Sequence, residues 1–349
     1  MRSTVEIEGK TIGHGAPVYI VVELGVTHEQ SVEVAESFVN ASAAAGADCV
    51  KVESFQADEL VVDRTVNHTY GTARGEVTEN YYQLLKRLEL SYSEFAQIKA
   101  AADKRSITFF PTVATKSSIE FFESIGAVAY KLASPDLNNF PLQEWVAATG
   151  KPIFLDTGGA YIHEVEQALM HLERHGAQQV VIMHNPSGYP APPDKTDLRM
   201  IRTMKDLFGI PVGLSCHTPG LDCVMAAIAL GADVIEKPIT RDTAIASPEH
   251  VFSFPVEQAG ELVARIRTME MALGSGRRMS VDEQSLPRRI GRRGLYAARP
   301  LKEGQTLAAE DILAAKPEKG ISVVHIEQVL GRRLRRDLDR HTPITWEDF

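Results

Sequence analysis

Residues 43–54 read AAAGADCVKVES and contain the end of a predicted helix, a Gly-Ala pair and a short predicted strand. Gly46 follows the alanine run, and glycine readily adopts the left-handed conformation that closes many helices. The run at 49–52 is apolar and β-branched except at Lys51, as expected for a buried strand with a polar residue near its end. The segment therefore predicts a helix that leads through a tight turn into a strand.

The same succession recurs along the whole first part of the chain. Eight apolar runs are each followed by a polar or glycine-rich tip and then by helical periodicity, at 18–22, 49–52, 107–110, 129–132, 153–155, 180–183, 211–214 and 234–235. Eight such units over about 250 residues predict an α/β fold, a (β/α)8 TIM barrel, because parallel strands need helical crossovers. A doubly wound open sheet is the alternative, but no GxGxxG turn follows the first run.

Helical periodicity ends near residue 277 and short extended segments follow, which predicts a second domain. We assign residues 1–277 to the barrel, 278–287 to a linker and 288–349 to a small β-rich C-terminal domain. An insert at 63–80, rich in polar residues and glycine, follows the second strand. Inserts at that end of a barrel usually shape the active-site opening.

Composition argues against several classes of protein. The formal net charge of −9 argues against broad nucleic-acid binding, so we interpret the arginine pairs of the last sixty-odd residues as salt-bridged surface or an anion contact. No apolar run approaches the roughly 20 residues of a membrane span and no apolar leader opens the chain, so a cytoplasmic location is expected. The three cysteines lack CxxC spacing and are predicted to be reduced thiols.

Ionisable and hydroxyl side chains follow most of the predicted strands. In a barrel, the carboxyl ends of the strands surround one opening, the mouth, where the active site lies. Any one of these residues could be a helix N-cap or part of a structural salt bridge, but burying the whole set without a ligand would be very costly. Three lysines at one mouth predict an anionic substrate, a phosphate or a carboxylate. The set is Glu23, Lys51, Glu53, Thr112, Lys131, Ser134, Asp136, Asp156, Thr157, His184, Ser187, Ser215, Cys216, His217, Glu236 and Lys237.

Several stretches resemble the successive motifs of one enzyme family. VVELGVTHEQ, YKLASPDLNNFPLQEW, LDTGGA, MHNPSGYPAP, GLSCHTPG and ALGADVIEKPIT are similar to motifs of the sialic acid synthase family, which includes N-acetylneuraminate synthases and spore coat polysaccharide biosynthesis protein E. The stretch that begins RRGLYAARPLKEGQTL resembles the SAF, or antifreeze-like, domain of that family. The resemblance is ordered and covers almost the whole chain.

The resemblance implies a transferase that forms a C–C bond. Phosphoenolpyruvate would add through its methylene carbon to the aldehyde of an open-chain N-acyl amino sugar, water would attack the resulting cation, and phosphate would leave. The product would be a sialic-acid-like sugar acid for a surface polysaccharide.

The resemblance also implies roles for individual residues. Lys51 and Lys131 would bind phosphoenolpyruvate, and Asp136 would handle the proton of the attacking water. Arg293 of the SAF domain, or its neighbour Arg292, would reach the acyl group of the sugar at the mouth of a partner barrel, in a domain-swapped homodimer. We take Asp136, His217 and Glu23 as candidate catalytic residues, and as candidate substrate-binding residues Lys51, Glu53, Thr112, Lys131, Ser134, Asp156, His184, Ser187, Ser215 and Arg293.

The sequence departs from the family pattern at the expected metal site. His217 corresponds to one histidine ligand of a divalent ion, Mn²⁺ or Mg²⁺, but Pro238 replaces the second and has no donor. We therefore expect no tightly bound ion, with His217 acting as a hydrogen-bond donor or general acid; a weaker oxygen-rich site that uses Glu23 and Glu236 is the alternative. Cys216 replaces an aspartate. It is interpreted as a small buried residue, ahead of a thiolate metal ligand and of a nucleophilic Cys-His dyad.

Two further departures concern the anion pocket. Glu53 and Asp156 stand where relatives commonly carry glutamine and serine, so each adds a carboxylate near the expected phosphate. These changes keep two other functions open: a non-catalytic or regulatory protein that binds a sugar or phosphosugar, and an aldolase or lyase that uses a mouth lysine as a Schiff base.

Overall fold

A computed structural model of the chain describes residues 1–186, 188–274 and 286–349, in two compact units, Met1–Leu273 and Gly274–Phe349. The predicted linker at 278–287 falls mostly outside the described residues, and the candidate Ser187 lies outside them as well. The domain boundaries at 277 and 288 therefore stay predictions.

The first unit contains a closed parallel barrel, which confirms the predicted fold. Strands β3, β4, β7, β8, β9, β10, β11 and β12 pair in that order, and β12 closes the ring by pairing with β3. Each predicted apolar run coincides with one of these strands. The strands of the chain are β1 (Val5–Ile7), β2 (Lys10–Ile12), β3 (Tyr19–Gly25), β4 (Cys49–Glu53), β5 (Asn67–Thr72), β6 (Gly75–Asn80), β7 (Thr108–Thr112), β8 (Tyr130–Leu132), β9 (Ile153–Asp156), β10 (Val180–His184), β11 (Val212–Ser215), β12 (Val234–Thr240), β13 (Phe254–Pro255), β14 (Gly294–Ala297) and β15 (Ile312–Ala315).

Helices cover the outside of the barrel, as the crossovers require. The first begins at the N-cap Ser31, whose hydroxyl accepts the Val34 N–H. It ends at Gly46, which has a φ of 81°, as predicted from the glycine that follows the alanine run. None of the helices in the described ranges is long and apolar enough to cross a membrane. The helices are α1 (Val32–Ala45), α2 (Ala57–Leu60), α3 (Tyr81–Leu88), α4 (Tyr92–Arg105), α5 (Lys116–Ser124), α6 (Phe140–Ala147), α7 (Ile162–Arg174), α8 (Met200–Phe208), α9 (Asp222–Ala229), α10 (Ala259–Leu273), α11 (Leu286–Gly291) and α12 (Ile326–Val329).

The amino-terminal hairpin β1–β2 packs against the apolar interior of the barrel. Val5, Ile7 and Ile12 join the interior cluster that includes Tyr19 and Phe110, whereas the alternate strand residues pack outward against the helices. Because β3 begins near this cluster and its polar residues lie at the far end, the polar chemistry is confined to the carboxyl ends of the strands.

The insert after β4 folds into a second hairpin, β5–β6, which the sequence did not predict. Its strands pair antiparallel from Asn67–Asn80 to Thr72–Gly75. The Gly71 N–H donates to the Tyr189 carbonyl at 3.1 Å, so the hairpin is attached to the loop that follows β10.

The second unit has its own core. Strands β14 and β15 pair antiparallel, and isolated bridges join β14 to Ser322 and Pro343. Leucine, isoleucine, valine and alanine side chains form its buried cluster, namely Leu295, Ala297, Leu301, Leu307, Ile321, Val329, Leu334, Leu338 and Ile344.

Candidate active site at the carboxyl ends of the barrel strands

The alternation of side chains along each strand selects which polar residues enter the barrel. Cys49 of β4 and Phe154 of β9 belong to the interior cluster, so Lys51 and Asp156, two positions further on, also point inward. The same rule places Glu23, Thr112, Lys131, Ser215 and Glu236 on the inner face.

Lys51 lies among carboxylates and is only 1% exposed. Its Nζ is in close contact with Glu23 and lies 3.2 Å from Oε1 of Glu236. Glu53, whose side chain is 31% exposed, approaches the same Nζ to 3.8 Å. The carboxylate that replaces glutamine at position 53 therefore lies at the open side of Lys51.

Lys131 is 2% exposed and shares Glu236 with Lys51. Its Nζ lies 3.0 Å from Oδ2 of Asp156 and 3.4 Å from the Ser215 hydroxyl, which donates to Glu236 at 2.9 Å. The carboxylate at position 156 is therefore paired with a lysine, one of the ways in which it can be tolerated beside an anion.

Burial and the two lysines divide the carboxylates into two kinds. Burial raises the pKa of Glu23 well above its usual range and raises the pKa of Asp156, against the opposite effect of the lysines. Burial alone would also raise the pKa of Glu236, but Lys131 and Lys51 outweigh it and lower that pKa to about 2. The pKa of each lysine is raised, because the carboxylates overcome the effect of burial. Both lysines are therefore cationic, and Glu23 and Asp156 are the carboxylates best able to hold a proton.

Several buried polar atoms of this cluster have no hydrogen-bond partner. They are Thr112 Oγ1, Asp156 Oδ1, Glu236 Oε2 and His217 Nδ1. Thr112 stands beside Lys131 and Glu53 in the register of the sheet. Buried polar groups are nearly always satisfied, so these atoms indicate a polar ligand. The lysines, Thr112 and the neutral His217 suit an anionic group, whereas the carboxylate oxygen of Glu236 requires a donor from the ligand.

His217 closes one side of the mouth. Its ring lies 4.7 Å from that of Tyr189 and 5.4 Å from that of Phe252. Burial, and then Lys131, lower the pKa of His217 to about 3, so the imidazole is neutral near pH 7.

Cys216 and Lys237 point away from the mouth. Cys216 belongs to the outer core, and its Sγ lies 3.2 Å from Thr218 Oγ1 and 3.8 Å from Lys237 Nζ. Lys237 donates to the backbone carbonyls of Thr218 and Phe252. The cysteine is thus a small buried residue on the opposite side of the strand from His217, as interpreted from the sequence.

Not every candidate residue joins the cluster. His184 lies on the outward face of β10, where its Nε2 is 2.7 Å from the Thr196 carbonyl, and burial lowers its pKa. Ser134 accepts the Gly158 N–H at 2.9 Å, and Asp136 accepts from Asn139 and has its pKa raised by burial. Arg293 is exposed in the second unit and donates to the Ala314 carbonyl.

Two residues at the mouth were missed from the sequence. Asn185 continues the inward series of β10 and donates to Asp156 at 3.0 Å, so the strand period would have identified it in place of His184. Glu249 lies in the loop after β12 and accepts the Val26 N–H. Its φ of 71° is uncommon for a side-chain-bearing residue, and burial and the nearby Glu53 raise its pKa to about 8. Nothing in the sequence pattern identified Glu249.

The mouth offers a poor donor set for a divalent ion. Pro238 faces Glu23 in the register between β12 and β3, so the position of the expected second histidine has no donor atom. Glu23 and Glu236 are occupied by the lysines. In the described ranges, His, Cys, Asp and Glu do not form a metal-like group of three at the mouth. The residues present therefore do not fit a tightly held ion.

Comparisons with known proteins identify the family to which the chain belongs. A family model described as the NeuB family matches residues 38–278, and one for the SAF domain matches residues 292–349. N,N'-diacetyllegionaminic acid synthase of Legionella pneumophila is 32% identical over 99% of both chains. Pseudaminic acid synthase of Campylobacter jejuni is 28% identical over 95% of this chain and 96% of that one. The crystal structure of N-acetylneuraminic acid synthetase from Leptospira borgpetersenii, in complex with citrate, superposes with a TM-score of 0.73 and 26% identity, over 80% of this chain and 94% of that one.

Proposed function

The chain belongs to the NeuB family, and we propose that it condenses phosphoenolpyruvate with the aldehyde of an N-acyl amino sugar to give a sialic-acid-like sugar acid for a surface polysaccharide. The observation that carries the proposal is the pair of buried lysines, Lys51 and Lys131, surrounded by buried polar atoms without partners. A small ligand with two anionic groups would pair with the lysines and accept from Thr112, and the hydroxyl groups of a sugar would donate to the carboxylate oxygens.

Phosphoenolpyruvate binds at the lysine pair. The ammonium groups of Lys51 and Lys131 neutralise its carboxylate and phosphate, and the unpartnered Thr112 hydroxyl donates to it. Ser215 becomes a second donor when its hydroxyl turns from Glu236, and Ser134 is a third donor because its bond to Gly158 uses only its oxygen. Because Glu23 and Asp156 have raised pKa values, protonation of these two groups frees positive charge for the incoming anion. The extra carboxylates are thereby compatible with the substrate.

The sugar aldehyde binds beside His217. A neutral imidazole donates a hydrogen bond to the carbonyl oxygen, which gains negative charge as the methylene carbon attacks. The pKa of about 3 makes His217 a neutral donor and a poor source of a full proton. Burial raises the pKa of Glu23 well above its usual range, so Glu23 is the group best able to deliver a proton to the new alkoxide.

The second half of the reaction needs water and a base. Water adds to the cationic carbon that carried the phosphate ester, Asp136 accepts the water proton, and the C–O bond to phosphate then breaks. Burial raises the pKa of Asp136, as suits a group that receives a proton.

In this proposal, a divalent ion at the mouth binds only weakly and is not required for the reaction. In the family, a bound Mn²⁺ or Mg²⁺ polarises the aldehyde. Here Pro238 removes a ligand, so we assign that polarisation to His217 and to no metal step.

We further propose a cytoplasmic homodimer in which the SAF domain of one subunit completes the mouth of its partner. Arg293 is exposed and keeps donors free beyond its bond to Ala314, so it is able to meet an acyl oxygen.

The Schiff-base alternative is disfavoured by the lysines themselves. A Schiff-base lysine must lose its proton near pH 7, whereas carboxylates raise the pKa of both Lys51 and Lys131. Lys237 has a lowered pKa, but it points away from the mouth and donates to backbone carbonyls.

Phosphate release from phosphoenolpyruvate, measured against a panel of N-acyl hexosamines with and without Mn²⁺ or chelator, tests the proposal. We expect release with at least one sugar, and a loss of about 10²–10³-fold in kcat/KM in Lys131→Met, because a charge partner of the anion is removed. Sugar binding without release for any sugar would favour the regulatory alternative, and borohydride trapping of a carbonyl substrate would favour the aldolase.

A further inference from the structure

A second cluster of metal-ligating side chains lies outside the barrel, on helices α6 and α7. His171 and His175 are four residues apart at the end of α7 and therefore share one helix face. Glu144 of α6 meets them, with its Oε1 at 3.3 Å from Nε2 of His171 and at 3.6 Å from Nε2 of His175. The three ligand atoms all lie within 4.8 Å of one another.

The two separations that involve Glu144 match those of a shared metal ion. Zinc binds imidazole nitrogen and carboxylate oxygen at about 2.0–2.2 Å in a tetrahedron, which places neighbouring ligand atoms about 3.3–3.6 Å apart. Nε2 of His171 is buried and has no hydrogen-bond partner although Glu144 is near. This buried nitrogen and the carboxylate lie close together but do not form a hydrogen bond. A metal ion bound between them would satisfy both groups.

The surroundings fix both imidazoles for such a role. Nδ1 of His175 lies 2.9 Å from the His171 carbonyl, which can only accept, so Nδ1 carries the proton and Nε2 keeps its lone pair toward Glu144. The ring of His171 stacks on Phe140 at 4.4 Å with an interplanar angle of 17°. Glu144 and His175 are partly exposed, which leaves room for a water ligand.

We propose that Glu144, His171 and His175 bind a zinc-class divalent ion that clamps α6 to α7. Two imidazoles and one carboxylate suit Zn²⁺, Ni²⁺ or Cu²⁺, and do not suit Mg²⁺, which requires oxygen ligands. His175 precedes the turn that leads into the start of β10, so the site lies at the amino end of the barrel, opposite the lysine cluster. Its role is therefore structural and separate from the chemistry at the mouth.

Zn²⁺ and Co²⁺ binding by the tag-free, full-length chain tests this proposal. Competition with a chromogenic chelator measures Zn²⁺ affinity, and visible absorption of the Co²⁺ form reports tetrahedral coordination. We expect one tight Zn²⁺ per chain and an upward shift of the melting temperature on adding Zn²⁺. His175→Ala and Glu144→Gln should each weaken binding at least about tenfold.

Two variants serve as matched controls. His163→Ala removes an exposed histidine from the same helix, and His217→Ala removes the imidazole at the mouth. Both should retain the Zn²⁺ affinity and the Co²⁺ spectrum. The proposal is overturned if the wild-type chain binds no Zn²⁺ at micromolar concentration, or if binding is lost in His217→Ala and kept in His175→Ala.

Discussion

Asp156 is the single side chain that most clearly opposes the proposed substrate. Its Oδ2 lies 3.0 Å from Lys131, and its other oxygen is buried without a partner. A buried carboxylate beside a lysine competes directly with an incoming phosphate for the same ammonium group. The pKa of Asp156 is raised by burial, so the protonated form, which does not compete, is retained to higher pH than for an exposed aspartate.

Asp156→Ser, which restores the common family residue, should lower the KM for phosphoenolpyruvate by about tenfold near pH 7.5, because it removes a negative charge next to the anion. In the wild-type chain, affinity should improve as pH falls and Asp156 becomes protonated. The serine variant should show less of that pH dependence. Initial rates at several pH values measure both effects, and Asp156→Glu, which keeps the charge, serves as the control. A KM that is unchanged in Asp156→Ser at every pH, including values well above 7.5 where the carboxylate is ionised, would mean that the anion binds elsewhere.

Pro238 decides the metal dependence. It points inward on β12 opposite Glu23, where a histidine side chain would reach the mouth near His217. We expect the wild-type rate to be unaffected by chelators, and Pro238→His to become stimulated by Mn²⁺, since two imidazoles form a better site for the ion. Elemental analysis and rates with and without EDTA measure this. A stoichiometric mouth metal in the wild-type chain that is lost in His217→Ala would contradict the expectation.

The strands and helices could be predicted because their signals are local and periodic. Each barrel strand is a short apolar run, and most of the helices that lead into a strand are followed by a glycine, although Ser106 closes α4 with a φ of 54°. The same period of two could have distinguished the inward Asn185 from the outward His184, since Met183 already points inward. Taking the first polar residue after each run, without regard to its parity, placed His184 at the mouth.

The features of the mouth that could not be predicted from the sequence lie in loops. Glu249 reaches the mouth from the irregular segment after β12, and its position depends on the backbone and not on a repeating pattern. The sequence predicted hairpin β5–β6 only as a polar insert, because its residues are mostly polar, exposed or half-buried and carry no hydrophobic period. Contacts of this kind depend on the packing of segments that are distant in the chain, so a local sequence pattern does not predict them.

Hairpin β5–β6 supports the aromatic side of the mouth. A Cβ at Gly71 would lie 2.9 Å from Cδ of Pro190 and 3.3 Å from the Tyr189 carbonyl, too close to be accommodated without a shift. Gly71→Val should therefore displace Tyr189 from His217 and raise the KM for the sugar by about tenfold, with little effect on that for phosphoenolpyruvate. Glu76→Ala, opposite Gly71 in the hairpin, is the control and should leave both KM values unchanged. Equal losses for both substrates would point to general unfolding of the hairpin.

The two units raise the question of which chain completes each mouth. Met1–Leu273 holds the lysine cluster with its own core, and Gly274–Phe349 holds Arg293 with a separate core. The family resemblance implies that Arg293 acts on the partner subunit. If so, every active mouth is composed of residues from two chains, and activity depends on the dimer.

Mixing two inactive chains distinguishes exchange between subunits from action within one chain. Lys131→Met destroys the anion site, and Arg293→Ala destroys the contact with the acyl group, so each variant alone should be nearly inactive. Equal amounts, allowed to exchange subunits, form mixed dimers as half of the population. If Arg293 reaches the partner, each mixed dimer contains one mouth with both residues intact, and about a quarter of the wild-type activity returns. If Arg293 serves its own chain, every mouth lacks one of the two residues, so the mixture stays inactive although circular dichroism shows that both chains are folded.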